Sequence, residues 1–272
     1  MAFAHVNGID IHYERFGEEG GRRAIFFNGT AGTIESARLW LPRIADGLDL
    51  LVHDQRCLGR TTVTDDVPTM ADYAADAAAL LDHLGWDRVA VVGVSFGGMV
   101  AQEFAVTYPA RVERLALLCT SPGGEGGSSF PLHEVAAMPA EEQAPLQLRL
   151  MDRRFTPEYL AEHPDVRAMV EAMAAGRNQP KGEEQLRGEA LQLAARRGHD
   201  VWDRLPRIAS PTLVMAGEHD MLAPPENSER IVSRIAGAEL RRYDGGHMFA
   251  FQDRTALPDL HRFLTDRTFG AD

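Results

Sequence analysis

Short apolar runs without a polar face alternate with helix-like stretches along most of this chain. A strand that is apolar on both sides is typical of a sheet covered by helices on both faces. Alternation of such strands with helices predicts a parallel sheet with right-handed crossovers. We predict strands at 24–27, 50–52, 89–94, 115–118, 212–216 and 238–243, and helices at 72–84, 97–108, 226–235 and 257–264.

Two other segments differ from this alternation. The stretch 4–16 alternates polar and apolar residues around Asn7-Gly8, which predicts an N-terminal β-hairpin. After Pro122 a glycine-rich segment, 123–129, has the composition of a flexible hinge, and no strand pattern follows until about residue 205. We predict an α/β core of residues 1–122 and 206–272 and a helical cap of residues 123–205. The cap is predicted to contain helices at 141–153, 157–162, 165–175 and 183–197.

The composition limits the kinds of partner. The 272 residues are 44% apolar and 25% charged, an ordinary globular mixture that argues against disorder, collagen and coiled coil. A net charge of -12 argues against nucleic acid or an anionic membrane as partner. Cys57 and Cys119 are too few for a disulfide framework. With no secretory signal and no apolar run near 20 residues, we expect a cytoplasmic protein.

Ser95 lies in the sequence Gly93-Val94-Ser95-Phe96-Gly97, between a predicted strand and a predicted helix. In that context G-x-S-x-G predicts a sharp turn that exposes the serine hydroxyl at the carboxyl edge of the sheet. The bare motif occurs often by chance, and a serine that only caps the helix is the alternative. We interpret Ser95 as a nucleophile.

A serine nucleophile needs a base and a group that orients the base. His247 follows the last predicted strand, and Asp220 follows the strand before it, so both lie at the same sheet edge as Ser95. We predict that His247 accepts the serine proton and that Asp220 orients His247. Glu218 and Asp244 are alternatives for the acidic role.

These motifs together resemble the α/β-hydrolase superfamily, in the branch with a helical cap. The resemblance extends over essentially the whole chain. It implies an α/β-hydrolase fold with a mostly parallel eight-stranded sheet flanked by helices and an inserted cap. It also implies an oxyanion hole made by the backbone N–H groups of Thr30 and Phe96. Asn28 stands where this family usually has histidine, which puts the side-chain hydrogen bonding of that loop in question.

The segment from Asp54 to Arg60 resembles another loop of the family, with Cys57 at a position where glycine is common. We interpret Asp54 and Arg56 as a structural ion pair, and Cys57 as a structural residue on an exposed loop. The side chain of Thr30 either reaches the pocket or only shapes the turn.

The resulting hypothesis is a serine hydrolase that cleaves a small, mostly apolar ester or lactone and uses no cofactor or metal. An enol-lactonase, a carbon–carbon bond hydrolase, a perhydrolase or haloperoxidase and an aminopeptidase remain alternatives within the fold. A peptidase would need a carboxylate in the cap, for which Glu134, Glu141, Glu142 and Glu171 are candidates. A non-catalytic ligand receptor is the alternative outside enzymes. The partner is expected to be a small-molecule substrate, and a homodimer remains open.

Overall fold

Eight strands form one sheet in the order β1-β2-β4-β3-β5-β6-β7-β8. This computed structural model describes residues 2–38, 41–136, 138–177 and 180–266. Strand β2 runs antiparallel to β1 and β4, and the remaining pairs are parallel. The predicted hairpin and all six predicted strands are present. The strands are β1 (Ala2–Val6), β2 (Ile9–Gly17), β3 (Arg22–Phe27), β4 (Leu48–His53), β5 (Val89–Val94), β6 (Val112–Leu118), β7 (Thr212–Gly217) and β8 (Glu239–Tyr243).

Helices cover both faces of the sheet, as the apolar strands predicted. One face packs against α2, α3 and α9. Tyr73 of α2 and Phe104 of α3 belong to the core on this face. The other face packs against α1, α10 and α11, to which Phe249 and Phe263 belong. The bounds are α1 (Ile34–Ala37), α2 (Met70–His83), α3 (Phe96–Thr107), α9 (Pro225–Arg234), α10 (Phe249–Gln252) and α11 (Ala256–Thr265).

Among the described residues, five α-helices lie between β6 and β7, in the segment predicted to form the cap. Two of them, α6 and α8, have the predicted bounds, and α5 and α7 differ from prediction by one or two residues at each end. Helix α4 was not predicted. Their bounds are α4 (Leu132–Ala136), α5 (Ala140–Met151), α6 (Pro157–Glu162), α7 (Pro164–Arg177) and α8 (Glu183–Arg197). Within the described ranges, no helix combines the length and the apolar character required to cross a bilayer.

The chain crosses between the core and this helical segment at two neighbouring places. The outward crossing contains a short 3₁₀ turn at Gly124–Gly126, and the N–H of Gly123 donates to the carbonyl of Gly127 at 3.0 Å. The return crossing follows α8, and Asp200 forms an antiparallel β-bridge with Gly123. The glycine-rich segment therefore folds into a hydrogen-bonded turn.

The loop after β4 corrects two expectations. Asp54 does not pair with Arg56. It accepts hydrogen bonds from His12 Nδ1 and from the backbone N–H of Ile34, each at 2.7 Å. Arg56 instead pairs with the buried carboxylate of Asp76, with its Nε at 2.8 Å from Oδ2.

Cys57, in the same loop, is buried instead of exposed. Its backbone has a φ of 70°, the left-handed conformation that glycine adopts most readily. That conformation is the physical reason why a glycine is common there in related loops. The nearest polar contact of its thiol is the hydroxyl of Thr64, 3.3 Å away.

Candidate active site

Ser95 occupies a strained turn between β5 and α3. Its φ is +55° and its ψ is -115°, a backbone conformation that is costly for a residue with a side chain. Two hydrogen bonds fix the turn, from the N–H of Ser95 to Leu118 O and from Thr120 Oγ1 to Ser95 O, both at 2.8 Å. The strain is therefore held by the end of the neighbouring strand β6.

The two glycines of the motif allow the backbone to pass close to Ser95. A Cβ on Gly97 would lie 2.1 Å from the carbonyl oxygen of Phe27, and one on Gly93 would lie 2.3 Å from the carbonyl oxygen of Gly97. Real Cβ atoms do not make such contacts. Helix α3 can therefore start directly against the ends of β3 and β5 only because both positions are glycine.

The three predicted catalytic side chains form one hydrogen-bonded line. His247 Nε2 lies 2.9 Å from Ser95 Oγ, and His247 Nδ1 lies 2.7 Å from Asp220 Oδ2. All three residues are buried. Because an ionised carboxylate can only accept, Nδ1 carries the proton, and Nε2 is left to accept from the serine hydroxyl.

Asp220 is the acidic residue that contacts His247. Its other oxygen, Oδ1, accepts from the backbone N–H groups of Leu222 and Ala223, both at 2.8 Å, which fixes the carboxylate plane. The two alternatives lie elsewhere. Glu218 is exposed, and Asp244 pairs with Arg154, its Oδ1 2.6 Å from Nη1.

The C-terminal end of α5 is joined by main-chain hydrogen bonds to both loops that carry Asp220 and His247. The carbonyl of Met151 accepts from the N–H of His247 at 2.6 Å, and the carbonyl of Leu150 accepts from the N–H of Met221 at 3.2 Å. This end of α5 thus supports the positions of Asp220 and His247, the two residues in line with Ser95.

The loop after β3 passes directly beside Ser95. A Cβ on Gly29 would lie 3.6 Å from the Cβ of Ser95, and Thr30 and Ala31 line the same cavity as the serine. The N–H of Phe96 belongs to the first residue of α3, where helical N–H groups have no partner within the helix. The two predicted oxyanion donors thus lie on two segments that meet at Ser95.

Two glutamines that were not predicted to belong to the site hold this loop by hydrogen bonds. Gln55 Nε2 donates to the carbonyl of Asn28 at 2.8 Å, and Gln192 Oε1 accepts from the N–H of Ala31 at 2.7 Å. Both glutamines are fully buried. Gln55 lies in the segment that resembles a family loop, but Gln192 lies on α8 of the cap, far away in sequence.

A cavity of about 450 Å³ opens above Ser95. Its polar side chains are few: Ser95, His247, Thr30, Gln143 and Gln147 line it, and neither Lys, Arg, Asp nor Glu belongs to the lining within the described residues. Thr30 thus lines the cavity, while its Oγ1 is buried and has no hydrogen-bond partner. The apolar lining consists of Val94, Leu118, Leu132, Val135, Leu150, Met151, Leu193, Leu222, Met248, Phe249 and Phe251.

Cys119 also lines this cavity and is buried at the end of β6. Burial raises the pKa of its thiol well above the ordinary value, with the charge of Asp220 acting in the same direction. In the described part of the chain, Cys119, Asp220 and His247 form the one group of three potential metal ligands, with ligand atoms within 4.8 Å of one another. A metal ion there would have to displace the proton shared by Asp220 and His247.

Comparison with known proteins decides the family. The family model for the alpha/beta hydrolase fold matches residues 25–253, which contain every element of the site described above. The chain belongs to the α/β hydrolase fold family. The predicted family and fold class are therefore confirmed.

Curated relatives of this α/β hydrolase are similar over most of their length. A poly(3-hydroxyalkanoate) depolymerase of Ectopseudomonas oleovorans is 28% identical over 88% of this chain and 83% of its own. A 3-oxoadipate enol-lactonase of Acinetobacter baylyi is 26% identical over 88% of this chain and 87% of its own. Both names denote hydrolytic enzymes, and the prediction that this protein is a hydrolase is confirmed at that level.

A solved structure agrees with the fold. The crystal structure of a hydrolase from Pseudomonas aeruginosa superimposes with a TM-score of 0.79 at 27% identity, covering 97% of this chain and 98% of the other. The similarity therefore includes both the core and the helical segment between β6 and β7.

Proposed function

We propose that this α/β hydrolase is a serine hydrolase that cleaves a small, uncharged, apolar ester or lactone through an acyl-enzyme. The observation that carries the proposal is the buried line from Ser95 Oγ through His247 to Asp220, with distances of 2.9 and 2.7 Å, at the floor of an apolar cavity. A nucleophile, a base and an orienting acid in contact are what acyl transfer requires.

The reaction begins when Ser95 Oγ attacks the substrate carbonyl carbon and His247 Nε2 takes the hydroxyl proton. Asp220 keeps the proton on Nδ1, so that Nε2 is free to accept, and stabilises the imidazolium that results. His247 then gives its proton to the leaving alcohol oxygen. In the second half, His247 removes a proton from water while the water oxygen attacks the acyl carbon. The bond between that carbon and Ser95 Oγ then breaks, and His247 gives the proton to Oγ as the acid leaves.

The backbone N–H groups of Thr30 and Phe96 are proposed to donate hydrogen bonds to the negatively charged oxygen of each tetrahedral intermediate. A well-placed donor of this kind lowers the barrier by about 3 kcal/mol. The position of Phe96 at the start of α3 supports the assignment, because the helix dipole adds a partial positive charge there.

The cavity wall supports the substrate class. At about 30 Å³ for a water-sized group, 450 Å³ holds roughly 15 such groups, which suits an acyl chain of moderate length. An acyl group that bears a carboxylate would lose its hydration there without meeting a Lys or Arg side chain from the described lining. Substrates derived from dicarboxylic acids, such as the one in the name of the enol-lactonase relative, are disfavoured for the same reason.

The cap also weakens the aminopeptidase alternative. A substrate amine needs a carboxylate partner, and the candidate side chains Glu134, Glu141, Glu142 and Glu171 are all exposed and absent from the cavity lining.

Residues 123–205 are proposed to act as the lid that closes over the substrate. Both cysteines are free and buried thiols, which supports a reducing compartment such as the cytoplasm.

The test combines a variant with a substrate series. Ser95→Ala should lower kcat for p-nitrophenyl butanoate by roughly 10⁴-fold or more, whereas Ser233→Ala, at an exposed serine, should leave it unchanged. Wild type should prefer p-nitrophenyl esters of neutral four- to eight-carbon acids over the matching hemi-dicarboxylate esters. Unchanged hydrolysis by Ser95→Ala would refute the nucleophile, and a preference for the charged esters would refute the substrate class.

A further inference from the structure

A second pocket, of about 310 Å³, lies where the chain crosses between core and cap. It is lined mainly by residues of the outward crossing, 121–133, and of the return crossing, 196–199, and it shares no lining residue with the cavity above Ser95. The Gly123–Asp200 bridge joins the two crossings beside it. A ligand bound here would contact both connections of the cap.

Arg196 lines this pocket and is a buried cation without a counter-ion. The residue is 8% exposed, and its Nε has no hydrogen-bond partner. No carboxylate of the described residues forms an ion pair with it. Glu103 and Asp200, whose charges act on the pocket residue His199, have other partners: Glu103 binds Arg204 through two contacts of 2.7 Å, and Asp200 accepts from the N–H of Trp202 at 3.1 Å.

The charge of Arg196 remains in spite of this burial. Desolvation lowers the pKa of Arg196 to about 10, which leaves the guanidinium charged at neutral pH. A buried charge without a partner is costly, and proteins normally compensate it with an opposite charge. No described residue supplies such a charge at Arg196, and a bound anion would compensate it.

The other groups around the pocket suit an anion. Arg197, which is exposed, adds a second positive charge, and Ser128 and Ser129 add hydroxyl groups, that of Ser129 lying 3.1 Å from the hydroxyl of Ser121. His199 contributes no charge, because burial lowers its pKa to about 4 and its Nε2 donates to the carbonyl of Ser121 at 3.0 Å. The pocket therefore presents arginine and hydroxyl donors around a space of molecular size.

We infer that this pocket, termed here the anion pocket and defined by Arg196, Arg197, Ser128 and Ser129, binds a small oxyanion, either a carboxylate or a phosphate group. The guanidinium of Arg196 matches two oxygens of such a group at once. The bound anion joins the two crossings of the cap to each other. This site goes beyond the proposed function, since hydrolysis at Ser95 does not require it.

The experiment measures thermal unfolding of the full chain in sodium acetate and in sodium phosphate, with sodium chloride at equal ionic strength as reference. Tm of wild type should rise with acetate, with phosphate or with both, and the two series show which oxyanion is preferred. Arg196→Gln should weaken the apparent Kd about tenfold or more. Arg187→Gln is the matched control, because Arg187 is an exposed arginine of the same helix that contacts Thr64 O at 2.7 Å, away from the pocket.

A second measurement separates a ligand-binding arginine from a structural one. In chloride alone, Arg196→Gln should have a Tm equal to or above that of wild type, since the substitution removes an uncompensated buried charge. A large loss of Tm, or failure to fold, would show that Arg196 is structural and would overturn the inference. Equal anion-dependent shifts in wild type and Arg196→Gln, or no shift beyond chloride in wild type, would also overturn it. None of these outcomes depends on hydrolytic activity.

Discussion

The backbone N–H of Ala31, the residue after Thr30, donates a hydrogen bond of 2.7 Å to the side-chain oxygen of Gln192 in the cap. Ala31 has a φ of 57°, unusual for a residue with a side chain, so this hydrogen bond fixes a strained part of the loop beside Ser95. Helix α8 thus helps to position the loop from which Thr30 is proposed to donate.

Gln192→Leu should therefore lower kcat for a neutral ester by roughly tenfold, the effect of a poorly placed oxyanion donor, while KM changes less. The measurement is steady-state hydrolysis, with labelling of Ser95 by a fluorophosphonate as a second readout. Gln185→Leu, at an exposed glutamine of the same helix α8, is the control and should behave as wild type. Equal kcat values for the two variants would show that Gln192 does not position the loop.

Asp220→Asn should lower kcat by roughly 10⁴-fold, because an amide beside Nδ1 favours the wrong tautomer of His247. Asp244→Asn makes the same chemical change at an aspartate that pairs with Arg154 and His219, and it should keep nearly full activity. Hydrolysis rates of the two variants and of wild type at one pH provide the comparison. If Asp244→Asn were the inactive variant, the assignment of the acid would be wrong.

Gly97→Ala should destabilise the protein by several kcal/mol or prevent folding, because the new Cβ would lie 2.1 Å from the carbonyl oxygen of Phe27. Gly182→Ala is the matched control, since a Cβ there meets no atom within 4 Å. It should cost about 1 kcal/mol or less, because Gly182 is the N-cap of α8 and alanine caps less well than glycine. Urea unfolding measures both, and similar midpoints would contradict the close approach at the turn.

Stability should fall as the pH falls from about 6.5 towards 4. Burial lowers the pKa of His53 from 6.5 to about 4, against a smaller opposing effect of Asp54. The unfolded chain therefore binds a proton in this range that the folded chain excludes. The contribution of the neutral His53 to the free energy of unfolding is complete above pH 6.5 and is lost as the pH falls through 4. Full protonation costs on the order of 3 kcal/mol for such a residue.

His53→Leu tests this pH dependence. The substitution leaves no hydrogen bond broken at Nδ1, which has no partner in the fold, and it should reduce the slope of unfolding free energy against pH between 4.5 and 6.5. His199, whose pKa burial also lowers to about 4, should account for part of the slope that remains. An unchanged slope in His53→Leu would mean that His53 does not titrate in the predicted way.

The sheet was predictable because its strands are apolar on both faces and few other structures bury such runs. Helix α4 was missed because its five residues, Leu132–Ala136, are too few to show a helical period. The ion pair of Arg56 was predicted wrongly for a different reason. Its partner Asp76 lies on α2. The distance between the loop and this helix is set by how they pack, and the spacing of residues along the chain does not predict it.

The line of Ser95, His247 and Asp220 was predicted from the rule that parallel strands end at one sheet edge. That rule indicates which residues lie near one another, but it does not identify the residues that support them. Gln192 looks like any polar position of an amphipathic helix, and only the packed cap reveals its contact with Ala31. The uncompensated charge of Arg196 is equally invisible in sequence, since burial and missing partners are properties of the assembled structure.

The junction between α5 and the loops of His247 and Met221 limits how the lid can move. Because both contacts are main-chain hydrogen bonds, of 2.6 and 3.2 Å, lifting this end of α5 would draw His247 away from Ser95. A lid movement of the kind proposed would therefore keep His247 against Ser95 only if it pivots about residues 150 and 151.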